Sequence, residues 1–283
     1  MRTFKDPKKG VTILTNDGLG DHIIQNGAIR RYMYLNPDIH TVRLICKEKN
    51  FNSMCYLYRH EPRVTIMTVR DRWSSDPKRG KRHWRHNLEN ENRKTEFPLL
   101  NWHSRRMKTN PNICWVKQML DYTLPQDIPR STTYTDFFVY RDEELENIIY
   151  EEILRKNGLK NGDKYIFACS QWQFGTSEPM KEALTLRAKN TSLPIVYSFI
   201  RDSSMSDVLS PVGPGVFAWL KVIEEASEIH TLDTSFLHLI KRMKLINKHK
   251  FFWDYRESYK NKTHEEYLNN EHDSGWVTIT QKD

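Results

Sequence analysis

The chain has 283 residues, too many for one small core and enough for one large domain or two modest ones. Its hydrophobic content of 38% and charged content of 28% are ordinary for a folded protein and exclude the intrinsically disordered class. The net charge of +8 favours anionic partners, a group that includes nucleotide sugars, phospholipids, acidic glycans and nucleic acids.

No apolar run approaches the roughly 20 residues that a membrane-spanning helix needs. The first residues carry charge but lack the apolar segment of a secretory signal. The cysteines share no metal-ligand spacing, and we interpret them as reduced thiols: Cys46, Cys55, Cys114 and Cys169. We therefore expect a cytoplasmic protein without a transmembrane segment and without a bound metal.

The chain begins with an alternation of strands and helices. Residues 11–15 form a β-prone run that a glycine-containing turn ends, and Asp21 is predicted to open an amphipathic helix that stops before Asn36. Two further strands are predicted over 42–46 and 64–69, with a helix between them. This β–α–β–α–β order predicts a parallel sheet, and its opening is typical of a Rossmann-type domain.

The first strand–helix turn has the sequence Gly18-Leu19-Gly20. It supplies two glycines of the dinucleotide-binding pattern, but Ile23 stands where the third is expected. The glycines let the backbone turn sharply and let a ligand approach the helix start, which makes Gly20 and His22 candidates for binding an acceptor. Asp21 lies where a helix dipole favours a carboxylate, either as a catalytic base or as a plain helix N-cap.

A basic insertion spans residues 70–108 of the predicted N-terminal domain. It interleaves lysines and arginines with Trp73, Trp84 and Trp102 and shows no apolar periodicity. Such a stretch could stack bases and neutralise phosphates, bind an acceptor as a mobile loop, or be a solvated insertion. The lack of a recognisable nucleic-acid module disfavours the first option, and a long loop in an α/β domain is more often functional than idle.

The second half of the chain repeats this architecture. A helix over 141–158 precedes strands over 164–169 and 193–199, a helix–strand–helix unit over 215–240 and a last strand over 250–254. We therefore divide the chain into an N-terminal domain (1–140), a C-terminal domain (141–256) and a polar tail (257–283). The tail is interpreted as packing back across both domains through the anchors Tyr259, Tyr267 and Trp276.

The segment Asp233-Thr234-Ser235 separates the strand and the last helix of that unit. In doubly wound layers, ligands bind beyond the carboxyl ends of the strands, and a helix N-terminus offers unpaired backbone N–H groups there. Residues 233–238 are therefore predicted to lie at a ligand-binding edge. The alternative is that Asp233 is only an N-cap and His238 only a half-buried helix residue.

Two short motifs on two Rossmann-like halves resemble the heptosyltransferase-like family of GT-B glycosyltransferases. Gly20-Asp21 matches the N-terminal Gly-Asp of that family, and residues 233–238 match its Asp-Thr-Gly-x-x-His element, with Ser235 in place of glycine. The resemblance implies an α/β fold of two Rossmann-like domains facing across a cleft. It also implies Asp21 as the base and the Asp-Thr-Gly-like element as the binder of the donor diphosphate.

The chemistry of such a transfer needs groups that stabilise the negative charge of a departing nucleoside diphosphate. Arg201 and Lys181 could supply cations or be solvated, and Phe217 could contact the nucleotide base or pack in the core. The predicted donor-binding residues are Asp233, Thr234, Ser235, Phe236, His238, Arg201, Phe217 and Lys181. The chain has no Asp-x-Asp triplet, which favours a metal-independent, inverting transfer with Asp21 as base.

The sequence thus predicts a glycosyltransferase that moves a sugar from a nucleotide-sugar donor, with UDP- or GDP-sugars preferred, to a hydroxyl of a glycan or glycoconjugate. No cofactor is expected. One alternative is a nucleotide-sugar epimerase or phosphorylase on the same fold. Another is a nucleic-acid-binding protein that uses residues 70–108.

Overall fold

A computed structural model describes residues 10–14, 18–69, 99–101, 120, 124, 127–172, 175–176, 178–198, 215–245, 248–254 and 267–280. Most of the predicted basic insertion, Arg201 and Tyr259 lie outside these residues. The chain divides into two units, Met1–Tyr140 and Arg141–Asp283. Among the described residues, no helix is both long and apolar enough to cross a membrane.

The N-terminal unit holds a sheet of four parallel strands in the order β3-β2-β1-β4. The strands are β1 Val11–Leu14, β2 Val42–Lys47, β3 Val64–Val69 and β4 Leu99–Asn101. The described part of this unit includes the helices α1 Leu19–Leu35, α2 Phe51–Tyr58 and the short α3 Thr132–Thr135, with a 3₁₀ turn at Glu48–Asn50. The predicted β–α–β–α–β opening with parallel strands is confirmed.

Strand β4 corrects the interpretation of residues 70–108 as an insertion throughout. Thr12 pairs with Leu99 and Leu14 with Asn101, so a short piece of this segment belongs to the parallel sheet. A strand of three residues is too short to show a hydrophobic period, which is why the pattern in the sequence missed it.

Helix α1 begins earlier than predicted, at Leu19, with Gly18 as its N-cap. Asp21 is therefore the third residue of the helix, and the interpretation of Asp21 as an N-cap is wrong. From this position its Oδ2 accepts a hydrogen bond from the Gly18 N–H at 3.3 Å, as an acidic residue at N3 does in a capping box.

Gly27 and Asn26 fix the position of α1 within its unit. A Cβ on Gly27 would lie 2.0 Å from the carbonyl oxygen of Thr132, so only glycine allows α1 to approach α3 this closely. The neighbouring Asn26 accepts a hydrogen bond from the Phe138 N–H at 3.0 Å. These contacts set where the first turn of α1, and hence Asp21, lies.

The C-terminal unit holds a sheet of five parallel strands in the order β11-β10-β9-β5-β8. The strands are β5 Ile166–Cys169, β8 Ile195–Tyr197, β9 Glu228–Thr231, β10 His249–Asp254 and β11 Trp276–Thr280, with a separate antiparallel pair β6 Gln171–Trp172 and β7 Gly175–Thr176. The helices are α4 Glu143–Lys156, α5 Glu178–Thr191, α6 Leu220–Glu225 after a 3₁₀ turn at Gly215–Trp219, and α7 Ser235–Ile240. The helix–strand–helix unit predicted over 215–240 is confirmed.

The predicted tail is corrected in its described part. Residues 276–280 form β11, which pairs in parallel with β10 from Lys250↔Trp276 to Asp254↔Thr280. The strand predicted over 250–254 is therefore not the last one, and the C-terminal sheet extends beyond residue 256. Strand β11 follows a long polar stretch, so nothing in the local sequence indicated which sheet it would join.

Each sheet contains one point where the strand order reverses. In the N-terminal sheet it lies between β1 and β4, and in the C-terminal sheet between β5 and β9, which gives the flavodoxin-like order. Ligands of open α/β sheets bind beyond the carboxyl ends of the strands at such switch points. The turn before α1 and the turn before α7 both stand at these places.

Candidate functional site

The turn from β9 to α7 contacts the end of β5, the neighbouring strand on the other side of the switch point. Thr234 Oγ1 lies 3.6 Å from the Sγ of Cys169, the last residue of β5. Both β5 and β9 are buried along their whole length, so the two strands that lead to this turn are fixed in the core of the unit. The residues predicted to bind the donor diphosphate are therefore held where a doubly wound sheet binds ligands.

His238 lies between two polar side chains. Its side chain is 9% exposed, and its Nε2 lies 3.6 Å from Asp233 Oδ1. On the other side of the ring, Nδ1 lies 2.6 Å from the hydroxyl of Tyr267. The structure thus brings Asp233 and His238 together and adds Tyr267, which the sequence identified only as an anchor.

The start of α7 differs from the prediction. Thr234, with φ −138° and ψ 176°, is the N-cap, so the interpretation of Asp233 as the N-cap is wrong. The first turn of any α-helix leaves backbone N–H groups without an intrahelical partner, and here these belong to residues from Thr234 onward. Because α7 has only six residues, its macrodipole is weak and side chains must supply most of the positive potential for a diphosphate.

Two aromatic candidates are fully buried. The Phe236 ring lies 5.6 Å from that of Phe167 and 6.3 Å from that of Trp219, measured between centroids. Phe217 is also without exposed surface, which favours the packing role over a contact with a nucleotide base. Because the Phe236 ring is buried, its backbone N–H in the first turn of α7 is the group of this residue that could contact a ligand.

Lys181 lies in the first turns of α5, the helix that follows β5 in the chain. Its Nζ is 3.1 Å from Glu178 Oε1, and its side chain is 36% exposed. Burial raises the pKa of Tyr197, at the end of β8, and the nearby Lys181 ammonium opposes that shift. Met180, the residue before Lys181, packs in one cluster with Tyr197, so the start of α5 lies near the carboxyl end of β8, at the same edge of the sheet as the turn before α7.

The N-terminal candidates occupy one turn of helix but different environments. Asp21 is half-buried, whereas Gly20 and His22 are buried. Burial lowers the pKa of His22 to about 3, so its ring is neutral at physiological pH. Of the two titratable side chains, Asp21 is the one that a substrate could reach.

A second buried histidine of the C-terminal unit, His230, lies on β9, next to the candidate donor site in the sequence. Glu228 Oε2 accepts a hydrogen bond from Arg187 Nε at 2.5 Å and lies 3.3 Å from His230 Nε2, while Trp253 Nε1 donates to His230 Nδ1 at 3.1 Å. Burial lowers the pKa of His230 to about 4, although the Glu228 carboxylate opposes that shift. The ring is therefore neutral, with its proton on Nε2. The sequence indicates this network only through Glu228 and His230, two polar residues that alternate with Ile229 on the predicted strand.

Within the part of the chain that the structure describes, no group of three or more His, Cys, Asp or Glu side chains is arranged to hold a metal ion.

Comparison with known proteins identifies the fold. No protein-family model and no curated protein sequence matches the chain. The E. coli ADP-heptose LPS heptosyltransferase II superimposes with a TM-score of 0.57 at 8% identity, over 95% of this chain and 90% of that one. A glycosyl transferase family 9 protein from Veillonella parvula gives a TM-score of 0.56 at 10% identity, over 97% and 87%.

The fold matches that of heptosyltransferases. The resemblance inferred from Gly20-Asp21 and residues 233–238 is therefore confirmed at the level of the fold. The similarity extends over nearly the whole length of both chains, so it includes both sheets and not only the two motifs.

Proposed function

We propose that the protein is a glycosyltransferase that moves a sugar from a nucleotide-sugar donor to a hydroxyl group of a glycan or glycoconjugate. One observation carries this proposal: the segment from Asp233 to His238 stands at the switch point of the C-terminal sheet, with His238 held between Asp233 and Tyr267. The fold shared with the E. coli ADP-heptose heptosyltransferase supports it.

The C-terminal unit is proposed to hold the donor. Departure of the leaving group builds negative charge on the nucleoside diphosphate. Backbone N–H groups in the first turn of α7, an N–H of His238 and the Lys181 ammonium are donors suited to that charge. The side chain of Asp233 lies beside the His238 ring and favours an N–H on Nε2, the nitrogen proposed to face the diphosphate.

The N-terminal unit is proposed to hold the acceptor, with Asp21 as the general base. The acceptor oxygen attacks the anomeric carbon, the bond from that carbon to the diphosphate oxygen breaks, and the diphosphate leaves with the electron pair. Asp21 takes the hydroxyl proton. A direct displacement of this kind inverts the anomeric centre and requires no metal.

The identity of the nucleotide is set by contacts that the donor makes beyond its diphosphate. The sequence-based preference is a UDP- or GDP-sugar, whereas the E. coli neighbour is named for ADP-heptose. The described cysteines are free thiols, which suits a protein that meets these donors in the reducing cytoplasm.

The proposal is tested by calorimetric titration with UDP, GDP and ADP, with UMP, GMP and AMP as matched controls, and with CMP as a further nucleotide. We expect one nucleoside diphosphate to bind, with its monophosphate binding more weakly because one charged phosphate is missing. Release of that diphosphate from its nucleotide sugar, accelerated by a glycan acceptor, then distinguishes a transferase from an epimerase. Failure to bind any diphosphate, together with steeply salt-dependent binding of DNA or RNA, would contradict the proposal.

A further inference from the structure

The imidazole of His238 has a polar side chain beside each of its nitrogens. Nε2 lies 3.6 Å from the carboxylate of Asp233, and Nδ1 lies 2.6 Å from the hydroxyl of Tyr267. Tyr267 is 1% exposed, and its ring meets that of His238 edge-on with centroids 5.7 Å apart. The two residues are 29 positions apart in the chain.

These contacts select one form of the neutral ring. A carboxylate oxygen can only accept, so an N–H on Nε2 is the favourable partner for Asp233. In that tautomer Nδ1 carries a lone pair, and the Tyr267 hydroxyl can donate to it. The opposite tautomer would place a lone pair of Nε2 against the carboxylate.

Tyr267 is itself fixed by a buried charge cluster. Lys241, the residue directly after α7, lies 5.1 Å from the centre of the Tyr267 ring and 3.3 Å from Asp273 Oδ2. Lys250 on β10 also pairs with Asp273, and Trp276 Nε1 donates to the same carboxylate at 2.5 Å. Both lysine side chains and the Asp273 carboxylate are at most 1% exposed. Removing Asp273 would leave two buried ammonium groups without their counter-charge, so the cluster holds the segment that carries Tyr267 against α7.

We propose that Tyr267 is a positioning residue for the donor site: its hydroxyl fixes the tautomer and the orientation of His238, so that the Nε2–H is presented beside Asp233 to the donor diphosphate. The inference rests on the proposed donor role of His238. It assigns a function to a segment that the sequence analysis treated as a tail.

The tautomer of His238 provides a readout that does not depend on nucleotide binding. Nitrogen-15 NMR of the wild-type protein at about pH 8, above the ordinary titration range of imidazole, reports which ring nitrogen is protonated. His238→Gln assigns the signal among the 11 histidines. We expect the proton on Nε2; a wild-type ring with its proton on Nδ1 would overturn the inference without any further variant.

Tyr267→Phe keeps the ring in the charge cluster and removes only the hydroxyl. We expect the His238 tautomer ratio to change and the Kd for the bound nucleoside diphosphate to rise about 5- to 10-fold, the range for loss of one hydrogen bond. Tyr165→Phe is the matched control, because it removes another buried hydroxyl of this unit, one that donates to the Val222 carbonyl at 2.5 Å. That control should lower stability and leave both readouts unchanged.

These experiments distinguish failure of the positioning role from failure of the proposed function. If the wild type binds a nucleoside diphosphate and Tyr267→Phe alters neither the tautomer nor the Kd, the positioning role is wrong. The same holds if Tyr165→Phe changes both readouts equally, because the effect would then be general destabilisation. If the tautomer responds as expected but no diphosphate binds the wild type, the proposed function is wrong, and Tyr267 only orients the His238 ring.

Discussion

The turn before α7 and the turn before α1 occupy the same kind of position, beyond the strand ends where the order of a parallel sheet reverses. They are built differently. In the C-terminal turn, Thr234 contacts Cys169, and His238 is buried between Asp233 and Tyr267. In the N-terminal turn, Asp21 is half-buried and accepts a hydrogen bond from the backbone of its own helix start.

The proposed function gives these two turns different chemical tasks. Charge that develops on a leaving group is best stabilised by donors that are already fixed in place, since they need no reorganisation during the reaction. A general base must instead meet the acceptor and exchange a proton with it. The rigid turn therefore suits donor binding, and the accessible carboxylate suits proton abstraction.

The sharpest way to break this comparison is Asp21→Asn. The amide oxygen of asparagine can still accept the hydrogen bond from Gly18 N–H, but the side chain cannot take a proton. We expect turnover to fall by about 10²- to 10⁴-fold, the range for loss of a general base. Steady-state kinetics with the nucleotide sugar and acceptor measure this.

The affinity of Asp21→Asn for the nucleoside diphosphate provides the control. It should match that of the wild type, because the donor is proposed to bind the C-terminal unit, and the melting temperature should barely change. Near-normal turnover would reduce Asp21 to a structural residue of the helix start. The buried His22 would then be the remaining titratable side chain among residues 19–22 of α1.

Acid should weaken both units through one buried histidine each. The pKa is lowered from 6.5 to about 3 at His22 and to about 4 at His230, in both cases by burial. A folded-state pKa below the unfolded value means that the native protein binds fewer protons. The stability contributed by the neutral ring is therefore complete above about pH 6.5 and is lost as the pH falls towards the folded pKa.

For His230, a pKa lowered from 6.5 to about 4 corresponds to a loss of roughly 3 kcal/mol by pH 4, at about 1.4 kcal/mol per pKa unit. Urea unfolding between about pH 7.5 and pH 4.5 measures the slope. His230→Gln should make it shallower, with the contribution of His22 remaining, whereas His40→Gln, at an exposed position, should not. Equal slopes in the two variants would contradict the assignment.

Substitutions in the rigid turn should affect binding rather than folding. His238→Ala is expected to weaken nucleoside diphosphate binding by about 10- to 150-fold, equivalent to roughly 1.5–3 kcal/mol for one charge-assisted contact. Asp233→Ala is expected to weaken it indirectly, through loss of the carboxylate that favours an N–H on Nε2 of His238. Calorimetry measures the affinity, and circular dichroism checks that the fold is retained. Unchanged affinity in both variants would place the donor site elsewhere.

The smallest expected effect is that of chelation. The absence of an Asp-x-Asp triplet from the sequence predicts that turnover is the same with and without EDTA. Activity that EDTA abolishes and Mg²⁺ or Mn²⁺ restores would show that a metal, rather than protein donors alone, stabilises the leaving diphosphate.

The sequence by itself determined the elements whose signals are local. Hydrophobic periodicity located α1, α2 and the helix–strand–helix unit over 215–240, because a few neighbouring residues are enough to show the period of a helix or strand. The helix predicted over 141–158 is α4, and its N-cap, Asp142, accepts a hydrogen bond from Leu145 N–H at 3.1 Å. The two candidate turns were also predictable, since glycines and capping residues mark the ends of strands.

Tertiary structure alone decided what depends on partners distant in the chain. Strand β4 is too short to show a hydrophobic period, and β11 follows a long polar stretch, so the sequence does not indicate which sheet either strand joins. Gly27 looks like an ordinary helix residue until Thr132 packs against it. The contact of Tyr267 with His238 depends on a cluster of buried charges in which each residue's partner is fixed only after the chain has folded, because such charges are stable only when paired.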